Sequence, residues 1–232
     1  MPFFPAGDAW SRDRIQAFDL HLRHLGIPPL VLMEQAARGL TESVLERLPS
    51  LLGGDPPLDL LVLVGPGNNG ADGVALARQL LGHPRVQPRL WLLQPSVAPE
   101  SALAQQIAVY QGLGGELTSG PAHPAWPTGP GLLVDALFGV GLDRPLRDPI
   151  PALLEAAEST GLPVLAVDQP TGLDADDGTI LGAALPATWT VSFVAPRPGF
   201  RHGEGPRLCG EVETAQLGVR PELAVAWAAA QG

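Results

Sequence analysis

The sequence contains no lysine: its 14 basic residues are all arginine and face 24 acidic ones, for a formal net charge of -10. That absence excludes chemistries that need a primary amine at a fixed place, among them Schiff-base catalysis, a Walker-type phosphate loop and a protein-kinase site. The acidic balance argues against a nucleic-acid partner, which demands cations to neutralise phosphates; only a local arginine patch would restore that reading. Cysteine is represented by Cys209 alone, so no internal disulfide or cysteine-rich zinc site can form, and a reducing compartment suits the chain. Long apolar runs are also missing. No stretch reaches the roughly 20 residues of a membrane span, and the opening MPFFPAGDAW lacks the basic start of a targeting segment. The expectation is a cytoplasmic protein with no membrane association.

What is present is core material. The chain has 232 residues, 45% of them apolar and only 16% charged, enough for one α/β domain spanning 1–232. Its 28 glycines and 26 prolines then belong in turns. Apolar residues at Ile15, Phe18, Leu22 and Leu25 predict an amphipathic helix over Arg12 to Leu25, closed by Gly26. A second helix runs from the LVLMEQAARG segment to Leu48, and Leu58 to Gly65 reads as a buried strand. Beyond it helices and strands alternate: helix Val74 to Leu81, strand Arg89 to Leu93, helix Pro99 to Gly112 and strand Gly131 to Phe138. Then come helix Pro149 to Ser159 and strands Pro163 to Asp168 and Thr188 to Val194. Such alternation predicts a mainly parallel sheet with helices on both faces. Gly112 to Gly131 reads as a long surface loop, and His21 with His24 as a solvated helix face.

Ligands of open parallel sheets bind at the carboxyl ends of the strands. Three such ends carry chemistry. Gly65-Pro66-Gly67-Asn68-Asn69-Gly70 contains GxGxxG and opens a helix, so its amides suit a phosphate. The second strand ends Leu92-Leu93-Gln94-Pro95 without the ribose-binding acid of an ordinary NAD-dependent dehydrogenase. Two further strands end in aspartate, at Asp135 and Asp168. Carboxylates beside an anion site repel it unless a cation intervenes. The candidates are Arg144 and a metal ion held by hard oxygens of Asn69, Asp135 and Thr171, a set that suits a weakly charged ion better than zinc.

At these residues the sequence resembles the NAD(P)H-hydrate epimerase family, the YjeF N-terminal domain. The resemblance is carried by Leu32-Met33-Glu34-Gln35-Ala36, Asn68-Asn69-Gly70-Ala71-Asp72-Gly73, and Asp135 with Phe138-Gly139-Val140-Gly141-Leu142-Asp143-Arg144-Pro145. Asp168 with Pro170-Thr171-Gly172-Leu173-Asp174, and Ala195-Pro196-Arg197-Pro198-Gly199, complete it. It implies a Rossmann-like three-layer α/β/α fold, a homodimer, and interconversion of the R and S hydrates of NADH and NADPH, called NAD(P)HX. It further implies substrate contacts from Asn68, Asn69, Gly70, Ala71, Asp72, Gly139, Val140, Gly141, Leu142, Asp143, Arg144, Pro145 and Asp168. One potassium ion per subunit is implied at Asn69, Asp135 and Thr171. Family members usually have Gly, Ser and Lys where this chain has Ala71, Thr171 and Arg197. No dehydratase domain follows in the sequence, so an ADP- or ATP-dependent dehydratase is expected as a separate partner.

The hydrate is a carbinolamine. Its inversion, by loss and return of water through an iminium or by ring opening, needs a proton donor and acceptor at one oxygen. Asp168 is the candidate for both, with a pKa raised by burial or by Asp135, and Asp168→Asn is expected to fold normally without activity. The competing reading is a non-catalytic nucleotide- or RNA-binding and dimerisation module of the same fold. Net charge and the set Asn69, Asp135 and Asp168 weigh against it.

Overall fold

The computed structural model describes residues 9–52, 54–120 and 123–230. Most of the opening segment read for targeting signals, residues 1–8, therefore lies outside the described residues. Two helices, α1 (Arg12–His24) and α2 (Pro29–Leu51), precede the sheet. They are followed by β1 (Leu58–Val64), α3 (Asn68–Leu80), β2 (Val86–Leu92), α4 (Ala102–Gly112), β3 (Glu116–Ser119) and β4 (Gly131–Ala136). The chain continues through α5 (Ile150–Glu158), β5 (Val164–Val167), β6 (Trp189–Phe193), the single turn α6 (Gly205–Leu208), β7 (Glu211–Ala215) and α7 (Pro221–Ala229).

All seven strands are parallel, in the order β3-β2-β1-β4-β5-β6-β7. The order reverses between β1 and β4, so the loops leaving these two strands diverge and open a crevice at their carboxyl ends. Strand alternation assigns the faces. Leu58, Leu60, Val62 and Val64 pack with Leu40, Val44 and Leu76 of α2 and α3, whereas Leu61 and Leu63 pack with Leu153 and Leu154 of α5. Both faces are covered, giving the three-layer α/β/α arrangement. A smaller cluster of Trp10, Phe18, Leu22 and Leu32 seats α1 against Val194 and Ala195, just beyond β6.

Three sequence expectations change. The helix expected from Val74 begins six residues earlier, at Asn68, because small residues let its first turn lie flat on the strand ends. A Cβ on Gly70 would stand 2.1 Å from the Gly65 carbonyl oxygen, and one on Gly73 would stand 2.5 Å from Cβ of Ala136. Within the expected loop, Glu116–Ser119 forms edge strand β3. An edge strand is defined by backbone pairing on one side, and with Leu117 as its one apolar residue it leaves no hydrophobic pattern. His21 is not freely solvated but stacks on Trp227 at 5.7 Å, tying α1 to α7.

Candidate active site at the sheet switch point

Each strand end at the crevice is built differently. After β1 the chain turns through Gly65, whose Cα lies so close to Leu137 that a Cβ would stand 1.7 Å from its carbonyl oxygen. Close approach here permits no side chain, and it brings Asn68 and Asn69, at the start of α3, against the loop that follows β4. Asn69 is buried and its Nδ2 has no hydrogen-bond partner. Its Oδ1 is 2.9 Å from where a Cβ of Gly139 would stand, so a side chain at Gly139 would fill the cleft.

Asp135 lies in the middle of the sheet, in register with Leu63 of β1 and Ala166 of β5, and is fully buried. Its Oδ1 accepts from the Thr171 hydroxyl at 2.6 Å and the Leu137 amide at 3.3 Å, and its Oδ2 from the Thr171 amide at 2.8 Å. Thr171 Oγ1 in turn accepts from the Phe138 amide at 3.0 Å. No guanidinium reaches Asp135 among the described residues. Burial pushes its carboxyl up to about 6, against the lowering effect of those hydrogen bonds.

Asp168 ends β5 in a strained turn. Its φ is 65°, and the Gln169 amide donates to the Val167 carbonyl at 2.8 Å, closing a three-residue turn around it. One strand over, Val194 repeats the device with φ 68°, the Ala195 amide donating to the Phe193 carbonyl at 2.8 Å. Positive φ costs a non-glycine residue on the order of 1–3 kcal/mol and persists only where the surroundings enforce it. The enforcing group is Arg197, which is completely buried. Its Nη2 donates to Asp168 Oδ1 at 2.6 Å and its Nη1 to the Phe193 carbonyl at 3.3 Å and to the Ala195 carbonyl. Asp168 Oδ2 accepts from the Val140 amide, at 3.4 Å.

Between these strand ends and helices α1 and α2 lies a cavity of about 490 Å³. Of the expected substrate contacts, it is lined by Asn68, Asn69, Asp72, Gly139, Val140, Gly141, Leu142, Asp143, Arg144 and Asp168. Gly70, Ala71 and Pro145 do not line it. Gly70 and Ala71 are buried in the first turn of α3 against the sheet, and Pro145 is exposed beside the Gly182 turn. Ala71 sits in helical backbone, so alanine in place of glycine carries no strain there. Asp135 and Thr171 also lie off the cavity wall, on the α5 side of the sheet, while Asn69 and Thr171 meet at Phe138-Gly139.

Two features were missed from sequence. One wall of the cavity is α1, through Ile15, Phe18, Asp19, Leu22 and Arg23. Its apolar periodicity predicted a buried face, but nothing in the sequence told that this face covers the site. The second is charge placement at Asp72, whose carboxyl is pushed well above the usual range by burial, then by Asp168, then by Asp19.

A parallel three-layer sheet with a glycine-tight turn, strand-end aspartates and a crevice at the point of reversal defines an α/β protein of Rossmann-like build. Residues 29–199 match the family described as YjeF-related protein N-terminus, and the chain belongs to it. It is 32% identical over 217 residues to a protein of Weissella koreensis named NAD(P)H-hydrate epimerase, covering 91% of this chain and 92% of that one. An Achromobacter xylosoxidans protein of the same name is 41% identical over 167 residues, 71% of this chain and 77% of that one. It is 34% identical to the "Bifunctional NAD(P)H-hydrate repair enzyme Nnr" of Salinibacter ruber over 95% of this chain, and spans 41% of that protein's length. In fold it is similar to the crystal structure of yeast ynu0, with TM-score 0.72 and 22% identity over 92% of this chain and 95% of that one.

Proposed function

We propose that this protein epimerises NAD(P)HX, interconverting the R and S hydrates of NADH and NADPH for nicotinamide nucleotide repair. The observation that carries the reading is the epimerase name of relatives that align over most of both chains, Weissella koreensis above all. The cavity supports it, because a fixed carboxylate stands where a dinucleotide would bind.

Asp168 is the proposed acid and base. Its Oδ1 is committed to Arg197, which leaves Oδ2 to exchange a proton with the hydroxyl of the carbinolamine. Breaking the carbon–oxygen bond gives that oxygen its electron pair and one proton, while the ring nitrogen lone pair closes the iminium. Water returning to the other face gives up a proton in turn. Asp72, whose carboxyl burial pushes well above the usual range, lines the same cavity. The first-turn amides of α3 and the Arg144 guanidinium face the anionic part of the substrate.

The residues proposed to hold a potassium ion are Asn69 through Oδ1, Asp135, a buried carboxylate without a cationic partner among the described residues, and the Thr171 hydroxyl, together a hard-oxygen set of single negative charge. Among the described residues no cluster of three or more histidine, cysteine or acidic side chains suits a transition metal. Such an ion, one per subunit, would supply positive charge toward the diphosphate. The proposal includes a cytoplasmic homodimer whose product is taken up by a dehydratase activity. It is tested by incubating the protein with one purified NADPHX epimer and following the other by chromatography; a rate equal to the protein-free control rejects it.

A further inference from the structure

The dinucleotide is an anion, and a chain without lysine has few cations to offer it. Among the described residues, the cavity wall carries three guanidiniums, Arg23, Arg144 and Arg197, against four carboxylates, Asp19, Asp72, Asp143 and Asp168. Arg197 has no surface and spends both terminal nitrogens on Asp168 and two carbonyls, so no phosphate can reach it. Arg144 is exposed at the rim with no ion pair among the described residues. That leaves Arg23.

We propose that Arg23 of α1 binds a phosphate of the dinucleotide, exchanging its ion pair with Asp19 for the ligand. This rests on the reading of the cavity as a dinucleotide site. Arg23 Nη2 contacts Asp19 Oδ2 at 2.6 Å, one helical turn away, and the two side chains are 39% and 38% exposed. A pair so open to water is weakly held. A phosphate offers the same guanidinium two charged oxygens in matching geometry, which is the stronger partner. Both residues line the cavity, and α1 is held in place from its other end. There Arg12 donates to Asp174 Oδ2 at 2.7 Å and through its amide to Asp176 Oδ1 at 2.8 Å, while the Trp10 amide donates to the Pro196 carbonyl at 2.9 Å. The exchange therefore moves one side chain without releasing the helix.

The alternative is that Asp19 and Arg23 simply brace α1, and the two roles differ in sign. A brace is lost equally by Arg23→Ala and Asp19→Asn. A phosphate ligand is lost by the first and freed by the second. Steady-state kinetics with NADHX and NADPHX should show KM raised about tenfold or more by Arg23→Ala with kcat within about twofold, and KM lowered by Asp19→Asn. Arg38→Ala, which removes a 70% exposed guanidinium paired with Glu42 outside the cavity, controls for net charge. A rise with both substrates places Arg23 on the diphosphate; a rise with NADPHX alone places it on the 2′-phosphate. Arg23→Ala matching Arg38→Ala, or both α1 variants raising KM alike, overturns the proposal. Calorimetric titration with NAD and NADP reads the same residue without turnover. A wild-type protein that binds them through Arg23 but does not epimerise sinks the functional reading and leaves Arg23 standing.

Discussion

Two neighbouring strands of this sheet end in aspartate after an apolar run, and they make opposite sites. At the end of β4, Asp135 is closed in by a hydroxyl and two amides, with no positive charge to meet it among the described residues. At the end of β5, Asp168 is held on a positive-φ turn by a buried guanidinium brought from beyond β6. The first has no counter-charge among the described residues; the second carries one within the chain. Strand-end acids that look alike in sequence are thus separated by what the following loops return to them.

The comparison breaks most visibly at Arg197. Removing one partner of a buried pair leaves the other charge unsolvated, so Arg197→Met is expected to cost about 3–5 kcal/mol, read as a lowered urea midpoint. Asp168→Asn should cost a similar amount, since Arg197 is the more deeply buried of the two. This revises the expectation that Asp168→Asn folds normally. Its epimerisation rate should fall by about 10²–10⁴; a folded Asp168→Asn protein with the wild-type rate removes Asp168 from the chemistry.

At the β4 end the expected effect is smaller and depends on pH. A carboxyl whose folded pKa is raised is protonated in the native protein where the unfolded chain is already ionised. The native state then binds more protons, and stability falls as pH rises. For Asp135 the loss spans the window from 3.8 to about 6 and is on the order of 2–3 kcal/mol. Asp72 extends the same trend upward, so Asp72→Asn should raise Tm at pH 7 to 8 and leave it unchanged near pH 3.5. Thermal melts across that range check both; a Tm of Asp72→Asn below wild type at pH 8 contradicts the sign.

Thr171→Val sharpens the contrast further. It removes a hydroxyl that donates to Asp135 and accepts from the Phe138 amide, and should cost about 1–2 kcal/mol. If Asp135 and Thr171 hold potassium, wild type should melt higher in potassium than in tetramethylammonium, and Thr171→Val should lose most of that difference. Equal melts of wild type in the two salts reject the ion site.

Most of the sheet was legible because buried parallel strands are written as apolar runs, and the strand-end rule then pointed to Asn69, Asp135 and Asp168 from local sequence alone. What stayed hidden depends on distant contacts. β3 pairs through backbone, and the Ser43, Arg47 and Glu213 network that joins α2 to β7 spans about 170 positions in the chain. The cover that α1 places over the cavity, and the pairing of Asp168 with Arg197 rather than Asp135, likewise arise where loops converge. Strain at Val194 was equally invisible, since valine is a residue the left-handed region rarely accepts.

The smallest expected effect concerns the residue that best expresses the missing lysine. Arg197 makes its contacts from the two terminal nitrogens, and its Nε is buried without a partner. Lysine would place a methylene where that unsatisfied Nε stands and would offer three donors from one point to Asp168 and the Phe193 and Ala195 carbonyls. It would lose the planar span that reaches all three together. Gain and loss nearly cancel, so Arg197→Lys should change stability by no more than about 1 kcal/mol and kcat by less than about threefold. A drop in kcat beyond about thirtyfold with Tm unchanged would show that the guanidinium plane itself holds Asp168 in its working geometry. Arginine here would then be a requirement of the site rather than a consequence of a composition without lysine.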